Sequence, residues 1–471
     1  MTITAKDLVA AGIKPGKWFP QAVEAANAAK ASGGDWLEAA RSCAPGPVLP
    51  LSIPGAKPFF INIDAEGDAE EANVAACVAT MTELMRTPVV AAGSIMPDAC
   101  PAGPLGTIPV GGVAVSTAIH PGMHSADICC SMSLTNFGNT SPAALLDAVH
   151  EVTHFGPGGR ERGQQVRPPA HVMSSFDANP FLSQLAGTAI EHFATQGDGN
   201  HFAYVGTMKS TGETVLVTHH GSRGPGALLY KKGMQAAEKH RQALSPETLK
   251  QNAWIPADTK EGDDYWSALQ AIREWTKHSH LEIHDMAAER LGVKPIGRYW
   301  NEHNFVFRRT DGLFYHGKGA TPAFDGWAYD ASDVTIIPLN MAEPILIARG
   351  LNAKHGLGFA PHGAGRNFSR TQHKRQQAGR TDADIFAEET KGIDARFFMG
   401  MTDISELPSA YKNAASVRAQ IESHGLAEIV DEVIPYGCIM AGDWEQSAPW
   451  KVKAEAKRAA RASAESRQNV A

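Results

Sequence analysis

Asp127 and Cys130 stand three positions apart, and their residue types suit a metal ion. A thiolate binds cations such as Zn²⁺, Mn²⁺ or Fe²⁺, whereas a carboxylate prefers harder divalent ions. A shared cysteine with a separate aspartate therefore indicates two metal ions of intermediate character. Gly122, just before the pair, is expected to let the backbone approach a bound ion or phosphate. Taken alone, the pair has an alternative explanation, because buried cysteines commonly act as small hydrophobic residues.

Histidines at expected strand ends extend this set. His201 follows a glycine-rich turn and precedes an expected strand, and His219 and His220 end the next one. His303 lies in the stretch YWNEHNFVF at 299–307. Loops that follow strands are where α/β proteins build their sites. Together with the aspartate and the cysteine, these histidines could fill two metal sites bridged by one thiolate, an arrangement that holds a phosphoryl group during in-line displacement.

A separate histidine, His362, stands among glycines and is followed by Arg366 and Arg370. Glycines beside an imidazole let a bulky phosphate approach, and the arginines suit its negative charge. These are the requirements of a covalent nucleophile that attacks phosphorus. A structural histidine in a flexible turn is the alternative. Arg160 lies in a Gly/Pro-rich loop at 155–169, which could contact phosphate or be a solvated surface loop.

The elements that must position these residues are short buried strands and amphipathic helices. Asp311 and Gly312 are expected at the turn of a hairpin. The expected helices include 68–86, 141–154, 181–194, 226–247, 261–291 and 405–423, and the expected strands include 202–206, 214–218, 334–338, 344–348 and 433–440. The predicted organisation is an N-terminal helical appendage at 1–60, a catalytic domain at 61–443 and a basic helical tail at 444–471.

Composition narrows the class of protein. The chain has 471 residues, of which 43% are hydrophobic, enough for a sizeable core. Its net charge of -7 argues against a protein that coats nucleic acid by bulk electrostatics, so any contact with nucleic acid should be a local basic groove. No apolar run is long enough for a membrane span, and no signal sequence is evident. The six cysteines include the neighbours Cys129 and Cys130, and we expect a reducing cytoplasm.

Eight short motifs, in this order, resemble the signatures of the RtcB family of RNA-splicing ligases. The resemblance covers about residues 88–442 and implies an α/β (α+β) single domain with a mixed β-sandwich-like core and surrounding helices. The motifs are MPDA (96–99), IPVGGVA (108–114), DICC (127–130), GNHF (199–202), HHGSRG (219–224), HN (303–304), HGKGATPAF (316–324) and HGAGR (362–366).

The resemblance assigns roles to the candidate residues. It implies that Asp127, Cys130 and His201 hold one Mn²⁺ ion, and that Cys130, His219 and His303 hold a second. His362 would take up GMP from GTP as a phosphoramidate. The 3′-phosphate of one RNA end, made if needed by opening a 2′,3′-cyclic phosphate, would attack that adduct. The 5′-hydroxyl of a second RNA end would then displace GMP, in RNA repair or tRNA splicing.

The same resemblance implies contacts to the nucleotide and to RNA, and its implied partners are RNA ends and a nucleoside triphosphate. The implied nucleotide-binding residues are Asn200, His201, Phe202, Asn304, Pro338, Met341, His362, Gly363, Ala364 and Gly365. The implied contacts to RNA or phosphate are Arg223, Arg366, Arg160 and Lys318.

The departures from the family pattern concentrate in the nucleoside pocket. Tyr204 stands where the family usually has a glutamate, and Ile345 and Ala441 replace polar positions. Cys100 follows MPDA in place of a histidine. Because hydrogen-bonding edges carry most base specificity, we expect relaxed or altered nucleotide choice with the chemistry of His362 retained.

Two other classes of function stay open at this level. A binuclear metal phosphodiesterase or cyclic-phosphate hydrolase would keep the metals without ligation, and would open cyclic phosphates with no protein-bound nucleotide. A non-catalytic RNA-end binding protein would bind RNA regardless of chelation. The complete set of metal-binding residues argues against this last class.

Overall fold

The computed structural model describes residues 2–16, 18–44 and 48–443 and mixes helices with sheets throughout, which confirms the predicted α/β class. The basic tail expected at 444–471 lies outside these residues. The strands are β1 (Phe59–Ile61), β2 (Val90–Cys100), β3 (Val110–Ser116), β4 (Ser131–Asn136), β5 (Phe202–Met208), β6 (Thr214–His220), β7 (Gly297–Glu302), β8 (Phe305–Arg308), β9 (Phe314–Lys318), β10 (Ala320–Pro322), β11 (Thr335–Ile337), β12 (Ile345–Gly350), β13 (Phe359–Pro361), β14 (Asp394–Phe397) and β15 (Ala427–Met440). The helices are α1 (Ala5–Ala10), α2 (Phe19–Ala31), α3 (Trp36–Ser42), α4 (Asp68–Leu84), α5 (Pro142–Val152), α6 (Ala170–Ala178), α7 (Ala186–His192), α8 (Arg223–Leu244), α9 (Lys260–Leu291), α10 (Arg370–Gln376), α11 (Asp382–Glu389) and α12 (Ala414–Ser423).

Two large sheets carry the architecture of the described residues. One has five strands in the order β1-β2-β3-β9-β8, and the other has eight, in the order β11-β12-β15-β5-β6-β4-β7 with β14 paired to β15. β10 and β13 form a small third sheet. The large sheets share one apolar core, to which Val113 and Phe305 contribute from the first and Leu346 from the second. Because β7 leads directly into β8, the chain passes from one sheet to the other at residues 302–305.

The longest helix, α9, packs on this core along one face. Ala268, Ile272 and Trp275 are fully buried and follow one another at helical spacing. The helix begins at Thr259, whose side chain accepts a hydrogen bond from the backbone of Gly262, and ends at Gly292 in the left-handed conformation. Helix α9 therefore has well-defined ends and forms a rigid support behind the second sheet.

The N-terminal helices pack against one another around a small apolar cluster of their own. Leu8, Phe19, Ala22 and Ala26 are buried there together with Ala40. This arrangement agrees with a helical appendage, whose boundary at residue 60 stays a prediction.

Two expected elements differ from the structure. The helix expected at 181–194 is shorter, because a 3₁₀ turn precedes α7. The helix expected from 405 begins only at Ala414, where the side chain of Asn413 accepts a hydrogen bond from the backbone of Ser416. Pro408 explains this delay, since proline cannot continue a helix through its interior. The hairpin is confirmed: β8 and β9 pair antiparallel across the turn at Asp311.

A membrane-spanning helix would need a long apolar stretch, and in the part of the chain that the structure describes no helix has one.

Candidate active site

Strand register brings the predicted metal ligands together. Strands β5, β6, β4 and β7 lie side by side, with Phe202 opposite His219, and Met132 on its other side. Ser131 in turn pairs with Glu302. Residues one step beyond these paired positions therefore meet at one edge of the sheet. They are His201, Cys130 and His303, which surround His219.

Asp127 reaches the same point from the turn before β4. A β-carbon added to Gly221 would lie 1.9 Å from an oxygen of the Asp127 carboxylate, so the site requires glycine there. Gly122 has a different role from the predicted approach to an ion: a β-carbon there would lie 2.0 Å from the carbonyl oxygen of Gln251. That glycine permits close packing between two loops.

The ligand atoms form two groups that share the cysteine. Cys130 Sγ lies 3.1 Å from His219 Nε2 and 3.6 Å from His201 Nε2. His219 Nε2 lies 3.0 Å from His303 Nε2, and His201 Nε2 lies 3.2 Å from Asp127 Oδ2. Within each group, Asp127–Cys130–His201 and Cys130–His219–His303, the ligand atoms all lie within 4.8 Å of one another.

Backbone carbonyls fix the protonation of two imidazoles. Nδ1 of His201 lies 2.6 Å from the carbonyl oxygen of Gln196, and Nδ1 of His219 lies 3.0 Å from that of Asn200. A carbonyl only accepts, so each Nδ1 carries the hydrogen and each Nε2 presents a lone pair to the centre. Nε2 of His303 faces Nε2 of His219. The buried Nδ1 of His303 has no hydrogen-bond partner. Converging lone pairs of this kind fit a bound cation.

The charge states of the donors also fit. Burial lowers the pKa of His219 to about 3 and that of His303 well below its usual range, so both imidazoles are neutral. Burial raises the pKa of Asp127, but the adjacent His201 outweighs that effect and the pKa falls to about 2. Burial also raises the pKa of Cys130 strongly, and a cation would offset that penalty. Neutral imidazoles, a carboxylate and one thiol are together the donors of intermediate divalent metals.

His362 follows β13 and is held by a carboxylate. Its Nδ1 lies 2.7 Å from Oδ2 of Asp98, a fully buried residue of β2. When the Nδ1–H group donates to Asp98, the lone pair of the neutral imidazole lies on Nε2. The His362 and His303 rings are 4.8 Å apart between centroids, so His362 adjoins the candidate metal ligands. Sequence reasoning missed Asp98 as a site residue, although its motif, MPDA, was part of the family resemblance.

A cavity of about 420 Å³ opens beside His362 and His219. Of the predicted nucleotide-binding residues, His201 alone does not line it. Those that do are Asn200, Phe202, Asn304, Pro338, Met341, His362, Gly363, Ala364 and Gly365.

Apolar side chains line part of this cavity. Tyr204, Ile345, Cys438 and Met440 all contribute to it. The Tyr204 hydroxyl donates to backbone carbonyls, with the oxygen of Val433 3.1 Å away, and burial raises its pKa. That hydroxyl is therefore committed to the protein backbone and adds no free hydrogen-bonding edge to the cavity.

Basic groups line the cavity as well. Lys318 donates from Nζ to the carbonyl oxygen of Ile108 at 3.2 Å, and burial lowers its pKa to about 8. Arg366 pairs with the buried Glu406 at 2.6 Å. Cys100 also lines the cavity, and burial raises the pKa of its thiol.

Two predicted phosphate contacts lie elsewhere. Arg160 is buried, and its guanidinium donates to the carbonyl oxygens of Val152 and Ala194, each at 2.8 Å. Arg223 donates to the carbonyl oxygen of Gly156 at 3.1 Å. Neither arginine lines the cavity, and the guanidinium of Arg160 is engaged with backbone carbonyls. Ala194 lies 34 positions from Arg160 and Gly156 lies 67 from Arg223, so a local sequence pattern does not predict these contacts.

Comparison with known proteins agrees with this geometry. A family model described as "tRNA-splicing ligase RtcB" matches residues 170–441, more than half of the chain. That range includes His201, His219, His303 and His362, while Asp127 and Cys130 precede it.

Curated relatives carry RtcB ligase names. A "tRNA-splicing ligase RtcB" of Aeropyrum pernix is 27% identical over 52% of this chain and 59% of its own length. An "RNA-splicing ligase RtcB" of Escherichia coli is 26% identical over 64% of this chain and 79% of its own length. The match thus spans somewhat under two thirds of the Aeropyrum protein. On the match of more than half its length, this chain belongs to the RtcB family.

Proposed function

We propose that this protein is a Mn²⁺-dependent RNA ligase of the cytoplasm, which uses GTP or another nucleoside triphosphate to join 3′-phosphate or 2′,3′-cyclic-phosphate RNA ends to 5′-hydroxyl ends. Its role would be in RNA repair or tRNA splicing. The observation that carries the proposal is the pair His362–Asp98, at 2.7 Å, adjoining two groups of metal-binding residues that share Cys130. The names of the similar RtcB ligases supply the reaction class.

The chain's own residues account for the covalent step. Asp98 holds the proton on Nδ1, so Nε2 of His362 attacks the α-phosphorus of GTP, forms a nitrogen–phosphorus bond and releases pyrophosphate. An oxygen of the RNA 3′-phosphate then attacks that phosphorus, which frees His362 and leaves GMP on the RNA end. The 5′-hydroxyl of the second end attacks the RNA phosphorus and releases GMP, completing the phosphodiester bond.

Two groups of residues would hold the metal ions, Asp127–Cys130–His201 and Cys130–His219–His303. When bound, divalent ions at these positions would supply positive charge that stabilises a phosphoryl group in transfer. Lys318 and Arg366 line the same cavity and would neutralise phosphate oxygens.

The apolar lining of the cavity supports altered or relaxed nucleotide choice. Tyr204 and Ile345 offer the base no free hydrogen-bonding edge, because the tyrosine hydroxyl is bonded to backbone. Discrimination among bases depends on such edges. Joining of RNA ends should therefore be supported by more than one of the four nucleoside triphosphates, or by one other than GTP. Strict dependence on GTP at normal affinity would refute this part of the proposal.

The function itself is tested by a joining assay. An RNA with a 2′,3′-cyclic phosphate and an RNA with a 5′-hydroxyl are incubated with protein, Mn²⁺ and each nucleotide. A joined product is expected with the native protein and with a control, His424→Ala, whose ring pairs with Asp64 outside the cavity. No product is expected with His362→Ala.

The changed nucleoside contacts also favour a second candidate, a cyclic-phosphate hydrolase that retains the metals. It would open the cyclic phosphate without nucleotide and without joining, and His362→Ala would keep that activity. RNA binding that survives both chelation and Cys130→Ala would instead indicate a non-catalytic RNA-end binding protein.

A further inference from the structure

We propose that His171, Glu274 and His278 form an additional divalent-metal site on the surface, separate from the ligands around Cys130. Their ligand atoms all lie within 4.8 Å of one another. Among the residues that the structure describes, the same spacing otherwise occurs in the two groups at the candidate active site. Two imidazoles and one carboxylate are a donor set that Zn²⁺ accepts.

The fold brings the three residues together from two helices. Glu274 and His278 lie one turn apart on α9, so their side chains share a face. His171 comes from α6, which packs against α9. The rings of His171 and His278 are 5.2 Å apart between centroids, and Glu274 Oε2 lies 4.0 Å from His278 Nε2.

These distances suit a cation after a small adjustment. Ligand atoms around a tetrahedral Zn²⁺ stand about 3.4 Å apart, given bonds of about 2.0–2.1 Å to nitrogen and oxygen. The observed separations of up to 4.8 Å need side-chain shifts of about 1 Å. His171 is exposed, so water has access to a fourth position. An exchangeable, surface-accessible site follows from this exposure.

The charges around the site favour binding. Glu274 Oε1 accepts a hydrogen bond from the Tyr329 hydroxyl, which orients the carboxylate. Two cations lie nearby: Lys277 is paired with Asp330, and Arg273 is paired with both Asp330 and Glu302. These two carboxylates balance the two positive charges, although Arg273 Nη1 also lies 3.5 Å from Glu274 Oε1.

The site is connected to the back of the candidate active site. Arg273, next to Glu274, donates from Nε to Glu302 at 2.5 Å, and Glu302 immediately precedes His303. A metal on Glu274 would hold this stretch of α9 in place against Glu302. Occupancy would thereby stabilise the support of one catalytic ligand.

Equilibrium dialysis against Zn²⁺, with metal measured by mass spectrometry, tests the site. The native protein should bind one more ion than either His171→Ala or His278→Gln. His240→Ala is the matched control. His240 also pairs with a glutamate, Glu261 at 2.7 Å, but among the described residues it is not part of any group of three possible metal ligands. It should bind as the native protein does.

Equal zinc content in the native protein, His171→Ala and His278→Gln would overturn the proposal.

Cobalt provides an independent readout, since the thiolate of Cys130 gives a charge-transfer band that a site of histidine and glutamate lacks. In Cys130→Ala protein, Co²⁺ should still produce the weaker ligand-field bands, and adding His171→Ala should remove part of their intensity. Unchanged bands in that double variant would also contradict the site. Neither measurement depends on ligase activity.

Discussion

At the scale of single residues, the proposed role of His362 as nucleophile depends on its contact with Asp98. Asp98→Asn keeps the shape of the side chain but removes the charge that holds the proton on Nδ1. A comparable change beside the catalytic histidine of serine proteases costs on the order of 10⁴ in rate. We expect nucleotide adduct formation to fall at least about 100-fold, measured with α-labelled nucleotide on denaturing gels. A rate near the native value would show that Asp98 does not control the imidazole; metal content should not change.

Lys318 gives the cavity a charge that depends on pH. Because burial lowers its pKa to about 8, the free protein loses this positive charge as the pH rises through that value. The charged form attracts phosphate, so nucleoside triphosphate affinity should weaken between about pH 7 and pH 9. Lys318→Arg should remove this decline, since arginine stays protonated.

The Lys318 prediction is measured by equilibrium binding of labelled nucleotide to His362→Ala protein, which cannot form the adduct, in the absence of metal. The measurement is repeated after Lys318→Arg is added to the same protein. An equal decline in affinity with and without the Lys318→Arg substitution would assign the pH dependence to another group.

At the scale of elements, α9 is the support of the candidate active site. His280 and His284 each lie 2.7 Å from the Thr218 hydroxyl on β6, and Arg273 bonds to Glu302 at the end of β7. The sequence predicted this helix at 261–291 and assigned it no chemistry, because its partners on β6 and β7 are distant in the chain. Periodicity reveals that a face is buried and cannot reveal which strand it meets.

Glu302→Gln tests that support. Arg273 and Glu302 are both buried, and removing one charge of a buried pair leaves the other uncompensated. Asp330 still balances part of the arginine charge, so we expect a loss of about 3 kcal/mol in the free energy of unfolding, measured by urea denaturation. The exposed pair Arg290–Glu151 is the control, and Glu151→Gln should cost below about 1 kcal/mol. Similar losses in the two variants would contradict the role given to the buried pair.

At the scale of the whole molecule, sequence reasoning was most successful where function constrains short motifs. The five candidate metal ligands and His362 were predicted from their types and from family resemblance. The structure brings the five candidate ligands together, and His362 adjoins them. The partner of His362 was missed, since Asp98 is 264 positions away. The contacts of Arg160 with backbone carbonyls were not predicted, because the sequence of a loop does not distinguish an arginine that binds phosphate from one that binds buried carbonyls. Long-range packing determines both the partner of His362 and the contacts of Arg160, and a local sequence pattern does not reveal such packing.

The most direct test of the central claim is covalent labelling of the protein by nucleotide. Purified protein is incubated with Mn²⁺ and each α-labelled nucleoside triphosphate, then separated on a denaturing gel beside His362→Ala. We predict an acid-labile adduct on the native chain that is absent from His362→Ala, as expected for a phosphoramidate on Nε2. An adduct that persists in His362→Ala, or no adduct with any nucleotide while both metal ions are bound, would contradict the ligase mechanism.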